Sequence, residues 1–346
     1  MMQVFDGHND ALGRLWCRND DAVAAFAGRD GHINAASAHT GGLAGGLFAI
    51  YAPASRKPFD FALIPNGVQS MPLPAALEPT AALRAAIGQA GIAAQLQAAG
   101  RIALATDAAS LRAAFDAEPI ACILHLEGAD CIDPDLLALE ALYAMGLRSL
   151  GPVWSRPTIF GEGVPFNFNS TGDTGEGLTQ AGQRLARRCL EMGIMLDTSH
   201  ITMRGFWDIA DLGAPVVATH SNAHAICPSA RNLTDEQLRC IGATGGMVGL
   251  NFEPGFLSEV GWKTGVATLD DALRQLDHMI AVAGEDHVGL GSDFDGARLP
   301  QGMDGAQDLP VLTQAMQQAG YGPKLITKLC HGNWLRFLTD HFGDDT

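Results

Sequence analysis

His8 and Asp10 stand one residue apart behind a short run of β-formers, Gln3-Val4-Phe5, that Asp6-Gly7 brings to a close. At a strand end, residues i and i+2 point to one side, so this imidazole and this carboxylate can converge on a single point. A neutral imidazole nitrogen beside a hard carboxylate oxygen suits a divalent cation such as zinc. An H-x-D pair is common by chance, and its meaning depends on what other strand ends deliver. Four further apolar runs end in residues of the same chemistry: Glu127 after 119–126, His200 after 194–199, His220 after 215–219 and Asp293 after 287–292. Histidines and carboxylates arriving from five strand ends look like a two-metal site, with Glu127 as the natural bridge. One bridging carboxylate can hold two cations about 3.5–4 Å apart.

Such convergence needs a scaffold that brings many strand ends to one place. Residues near Val4, 46–51, 119–126, 147–153, 194–200, 215–220, 246–252 and 287–293 read as strands, most of them continuously apolar. Apolar residues at helical spacing predict helices over 79–99, 134–145, 178–192, 202–212, 267–283 and 322–339, and near 234–241 and 308–319. Residues 53–72, punctuated by Pro53, Pro58, Pro65 and Pro72, read as loop, as does the polar, Gly-rich stretch 155–177. Continuous apolar strands alternating with helices imply a parallel sheet sheathed by helices. Eight such units predict a closed (β/α)8 TIM-like barrel, a single domain over residues 1–346. A doubly wound open sheet is the runner-up, but no G-x-G-x-x-G or G-x-x-x-x-G-K-[ST] motif supports nucleotide binding. In a barrel the C-terminal strand ends share one mouth, and all five donor positions fall there.

Seven other histidines are expected to be structural. His125 lies inside an apolar run, and His287 opens its strand rather than ending it. His32, His39, His278, His331 and His341 lie in loops or on helices.

Composition narrows the partners. The 346 residues are 47% hydrophobic and 17% charged, with a formal net charge of −16. That acidity argues against nucleic acid or an anionic membrane as partner. The seven cysteines (Cys17, Cys122, Cys131, Cys189, Cys227, Cys240 and Cys330) form no C-x-x-C pair and read as reduced thiols. With neither a signal-peptide pattern nor an apolar run long enough to span a bilayer, the expectation is a soluble, cytoplasmic protein.

Several segments together resemble the membrane (renal) dipeptidase family, peptidase family M19, among the amidohydrolase-type barrels. They are Asp6-Gly-His-Asn-Asp10, Leu126-Glu-Gly128, Asp197-Thr-Ser-His200, Thr219-His-Ser221, Ser229-Ala-Arg-Asn232 and Val288-Gly-Leu-Gly-Ser-Asp-Phe-Asp-Gly296. The stretch 177–184 extends the likeness, which runs in order along nearly the whole chain. The resemblance implies a binuclear zinc site, with His8 and Asp10 on one ion, His200 and His220 on the other, and Glu127 bridging. The same donors would accept manganese or iron. It also implies hydrolysis of a small dipeptide, L-X-L-Y or L-X-D-Y. Asp293 would carry the proton to the leaving amine, and Arg231 would bind the substrate's terminal carboxylate through its planar fork of donors. A homodimer stays open.

One position departs from the family's pattern. Where those dipeptidases carry a histidine at the end of the fourth strand, this chain has Trp154. An indole donates one hydrogen bond but cannot become a cation. Loss of an oxyanion donor typically costs on the order of 10²–10³ in rate. Either another group substitutes, such as Arg156 or a side chain of the 155–177 loop, or the substrate is a non-standard amide or a lactam. A barrel that keeps its metal without dipeptidase activity is the remaining alternative.

Overall fold

The computed structural model describes residues 2–18, 20–54 and 71–343. Most of the proline-punctuated stretch 53–72 therefore lies outside the described residues. The strands are β1 (Val4–Asn9), β2 (Leu43–Tyr51), β3 (Ile102–Leu104), β4 (Ile120–Glu127), β5 (Leu147–Gly151), β6 (Met195–Leu196), β7 (Val217–Ala218), β8 (Met247–Leu250) and β9 (Val288–Leu290). Eight of them form a parallel ribbon in the order β6-β5-β4-β2-β1-β9-β8-β7. The ribbon curls until its ends nearly meet. Asp197 bridges to Val217, and Thr198 N–H donates to Val217 O at 2.8 Å, so the β6–β7 seam is held by very few backbone bonds. This is the predicted eight-stranded (β/α)8 architecture, almost closed.

The differences from expectation have local causes. β3 is an extra strand. It lies on the edge of β4 at Ile120–Cys122, ahead of the point where β5 begins its own pairing at Leu124. Three residues are too few for any period to show in sequence. The helix expected from 134 starts only at Leu137. Asp133 accepts the N–H groups of Asp135, Leu137 and Ala138, and Leu136 sits at φ 63°. The helix expected over 322–339 is interrupted by a π turn at Lys328–Gly332, and Asn333–Phe342 follows as a separate helix.

That last helix closes one end of the barrel. Trp334 is fully buried, and its indole N–H donates to Leu290 O at 2.9 Å. Around it, Phe5, Leu47, Ile123, Met195, Val217 and Met247 from six strands form one apolar cluster. Gly7 is required here: a Cβ on it would meet Trp334 Cζ2 at 2.6 Å and the carbonyls of Leu290 and Thr219 at 2.7 Å. The strands' N-terminal end is thus plugged with hydrocarbon, and the polar strand ends open at the opposite mouth. Outside, the helix Pro79–Ala98 turns Ala82, Ala85, Ala86, Ala90 and Ala93 inward. Its Gln89 clamps the last residue of β2, accepting from Tyr51 N–H (3.0 Å) and donating to Tyr51 O (2.5 Å). Among the described residues no helix is long and apolar enough to cross a membrane.

Candidate metal centre

β1 delivers its histidine through a bulge. Asp6 pairs with Gly46 but Asn9 pairs with Phe48, so Gly7 and His8 together face the single residue Leu47. Beyond the strand, Asp10 N–H donates to Phe294 O (2.8 Å) and Asp293 N–H donates to His8 O (3.0 Å), which ties the ends of β1 and β9 together. Glu127 is the last residue of β4. His200 and His220 lie just past β6 and β7.

These side chains meet around one oxygen. Glu127 Oε1 lies 3.0 Å from His200 Nε2 and 3.5 Å from the Nε2 atoms of both His8 and His220. The two nitrogens of His200 and His220 are 3.0 Å apart, and His8 Nε2 lies 3.6 Å from Asp10 Oδ2. Two donor groups fall within the reach of a metal ion: His8, Glu127 and His220, and His8, Asp10 and Asp293. Among the described residues, both ring nitrogens of His8 are buried without a hydrogen-bond partner. Arg231 Nη2, which can only donate, lies 3.2 Å from His200 Nε2, so that nitrogen carries a lone pair rather than a proton. Buried imidazole nitrogens and carboxylate oxygens gathered this closely are a donor set that divalent cations satisfy. The residues fit such a centre.

The electrostatics have the same origin. Burial alone would lower the His8 pKa, but Glu127, Asp10 and Asp293 around it raise it to about 10. Burial lifts Glu127 well above the usual carboxylate range, with His8 opposing. Burial also pushes Asp293 up to about 7, against the pull of His8, Asn251 and Arg231. His200 and His220 are held well below the ordinary imidazole value, first by burial and then by neighbouring Arg231 and His8. Neutral imidazole is the form a metal takes.

Asp293 is held firmly. It adopts φ 60°, and its Oδ2 accepts from Asn251 Nδ2 at 3.0 Å. Gly296, in the same turn, makes room for it, since a Cβ there would collide with the carboxylates of both Asp10 and Asp293.

Above the centre opens a pocket with Asp10, Glu127, His200 and Asp293 at its base. Tyr51, Pro53, Trp154, Phe166 and Phe256 make its walls. Trp154 is therefore a wall residue, its ring 5.8 Å from that of His200 and 5.2 Å from that of Tyr51. Arg156 does not stand in for the missing histidine, because its donors are engaged elsewhere. Nε and Nη2 reach Asp130 (2.8 and 3.3 Å), Nη2 also reaches Ala52 O (2.6 Å), and Nη1 reaches Tyr51 Oη (3.3 Å). The pair is buried on both sides. Breaking it leaves Asp130 unpaired, so Arg156→Met is expected to destabilise the protein by about 3–5 kcal/mol, read as a lower midpoint in urea unfolding. A midpoint equal to wild type would show that the pair holds nothing.

Arg231 stands beside the histidines rather than on the pocket wall. It is 2% exposed and donates to Ser221 Oγ (3.1 Å) and His220 O (3.0 Å), while its Nε is buried without a partner among the described residues. The other histidines take structural partners, such as Asp235 for His278 (2.7 Å) and Gly246 O for His287 (2.9 Å). His125 lies closer to the chemistry than expected, directly beneath His8 with their ring centroids 5.4 Å apart. Sequence reasoning missed Tyr51 and Asn251. Each ends or follows an apolar strand, so the positional rule that singled out Glu127 would have found both.

A profile of the membrane dipeptidase family (peptidase family M19) matches residues 1–341. A solved dipeptidase AC, a metallo peptidase of family M19, is 46% identical, with a TM-score of 0.93 and 99% of each chain covered. A metallo peptidase from Rhodobacter sphaeroides, liganded with a phosphinate mimic of the dipeptide L-Ala-D-Ala, is 45% identical with the same TM-score and coverage. A protein from the 5′ region of pqqA in Klebsiella pneumoniae is 43% identical over 241 residues, covering 69% of this chain and 89% of its own length.

Proposed function

Because the chain belongs to the membrane dipeptidase family, peptidase family M19, we propose that this metallo-dipeptidase cleaves small L-X-L-Y or L-X-D-Y dipeptides at a centre of two zinc ions. The observation that carries the two-ion reading is the meeting of three imidazole nitrogens on Glu127 Oε1 within 3.0–3.5 Å, with Asp10 and Asp293 alongside. His8 and Asp10 would hold one ion, His200 and His220 the other, and Glu127 both. Bound there, the ions would polarise the amide carbonyl and acidify a water to near neutral pH. The protein's own groups do the rest. Asp293 takes the water's proton and returns it to the departing amine nitrogen. The aromatic walls Tyr51, Trp154, Phe166 and Phe256 exclude bulk water and strengthen every charge interaction at the base. The Rhodobacter sphaeroides relative, liganded with a dipeptide mimic, supports a substrate of this size.

The test is turnover of an L-X-L-Y and L-X-D-Y panel by zinc-reconstituted protein, with metal content measured alongside. Turnover with two ions per chain is expected. Two bound ions without turnover would shift the substrate to a lactam or non-standard amide, and absence of stoichiometric metal would sink the centre. Arg231→Lys tests the carboxylate contact. Lysine keeps the charge but loses the fork and Nε, so KM for dipeptides is expected to rise about 10–100-fold with kcat much less changed. A fall in kcat alone would place Arg231 on His200 instead.

A further inference from the structure

Beneath the histidines runs a hydrogen-bond chain whose direction is determined by its donors. Asp197, at the end of β6, accepts four of them. Its Oδ1 takes the backbone N–H groups of Ser199 (3.1 Å) and Thr219 (2.8 Å) and the hydroxyl of Ser199 (2.6 Å). Its Oδ2 takes the hydroxyl of Thr219 (2.7 Å). Backbone amides only donate, and four donors on two oxygens are what an ionised carboxylate accepts. Thr219 Oγ1 lies nearer to Asp197 Oδ2 (2.7 Å) than to Ser199 Oγ (3.2 Å), whose own proton goes to Asp197 Oδ1, so the single hydroxyl proton of Thr219 is committed to Asp197. Thr219 Oγ1 also lies 2.8 Å from His220 Nδ1, and with its proton engaged it can only accept there. His220 must then carry its proton on Nδ1. Ser199 behaves consistently, giving its proton to Asp197 and accepting His220 N–H at 3.1 Å.

We propose that Thr219 is a positioning residue that links Asp197 to His220 and holds this histidine with a bare Nε2 aimed at the metal centre. That nitrogen faces Glu127 Oε1 at 3.5 Å and His200 Nε2 at 3.0 Å. The hydrogen bond made by one ring nitrogen decides what the other can offer. The location adds weight. The chain crosses the β6–β7 seam, where the backbone alone gives little support, so one carboxylate both holds the seam and orients a ligand on its far side. The proposal rests on the reading of His220 as a metal ligand, and its test needs no substrate.

The first readout is the tautomer of His220 in the metal-free wild type, from ¹H–¹⁵N couplings of labelled histidine. The proton is expected on Nδ1, and a proton on Nε2 would overturn the proposal. The second is zinc affinity, by competition with a chelator, of Thr219→Val and Thr219→Ser. Valine keeps the branched shape and the three other donors to Asp197, and is expected to weaken zinc binding about 10–100-fold. Serine restores the hydroxyl and is expected to bind as wild type does. A Thr219→Val protein with wild-type zinc affinity, even one with a lower melting temperature, would reduce Thr219 to a seam contact and overturn the proposal. If the valine variant does not fold, the wild-type tautomer still decides. Absence of dipeptide turnover would touch only the substrate reading.

Discussion

Glu127→Gln is expected to lower zinc stoichiometry from two ions per chain to one or none, and to reduce kcat/KM for dipeptides by a factor on the order of 10³ or more. The substitution conserves volume and removes only the charge and one acceptor. The position is severe because a single oxygen, Oε1, is the point that His8, His200 and His220 share. An amide can offer its carbonyl oxygen to one cation, but its NH₂ turns two donor protons toward a second. Two cations a few ångströms apart also repel strongly at low dielectric, and the buried negative charge between them is what offsets that repulsion. Metal analysis and kinetics on the same preparation check this, with the melting of the metal-free variant as the control for folding. Two bound ions and activity within tenfold of wild type would remove Glu127 from the bridging role.

The reason this residue could be singled out from sequence is positional. Glu127 closes an eight-residue strand that is apolar apart from His125, and such a strand in a parallel barrel can present a carboxylate only at its mouth. The same argument locates His200, His220 and Asp293, and the structure brings all of them within reach of His8. It fails where a signal is short or depends on a partner distant in sequence. β3 has three residues, and the β1 bulge is visible only when Gly7 and His8 are set against Leu47. Arg156 reads as a free cation in the chain, yet in the fold Asp130 and Ala52 O absorb its donors. His125 looks like a core residue from its apolar neighbours. Its contacts with Ser149 (2.8 Å) and Asp197 (3.4 Å) place it in the polar layer under the site, and those partners come from other strands. Periodicity within one segment carries the elements and their ends. What two remote segments do to each other's protons has to be read from coordinates.

Proton traffic is also where the other large effect is expected. Asp293→Asn should keep two zinc ions and lose on the order of 10²–10⁴ in kcat. Asparagine is among the few side chains that tolerate the φ of 60° found here, and its carbonyl can still accept from Asn251 Nδ2. The backbone and its bond to His8 O are therefore preserved, and only the ability to hold a proton is removed. Burial pushes the Asp293 carboxyl up to about 7 in the metal-free chain, so it is poised to take and return a proton near neutrality. Bound cations favour its ionised form and move that value down. The wild-type kcat/KM is thus expected to rise with pH through an acid limb at or below about 7, and the asparagine variant to lack that limb. Residual activity within tenfold of wild type would exclude Asp293 as the proton carrier. Loss of metal together with activity would make it a ligand, as its closeness to His8 and Asp10 allows. Gly296 leaves room for both carboxylates side by side, since a Cβ there would collide with Asp10 and Asp293, so the metal content of the asparagine variant is what separates the two roles.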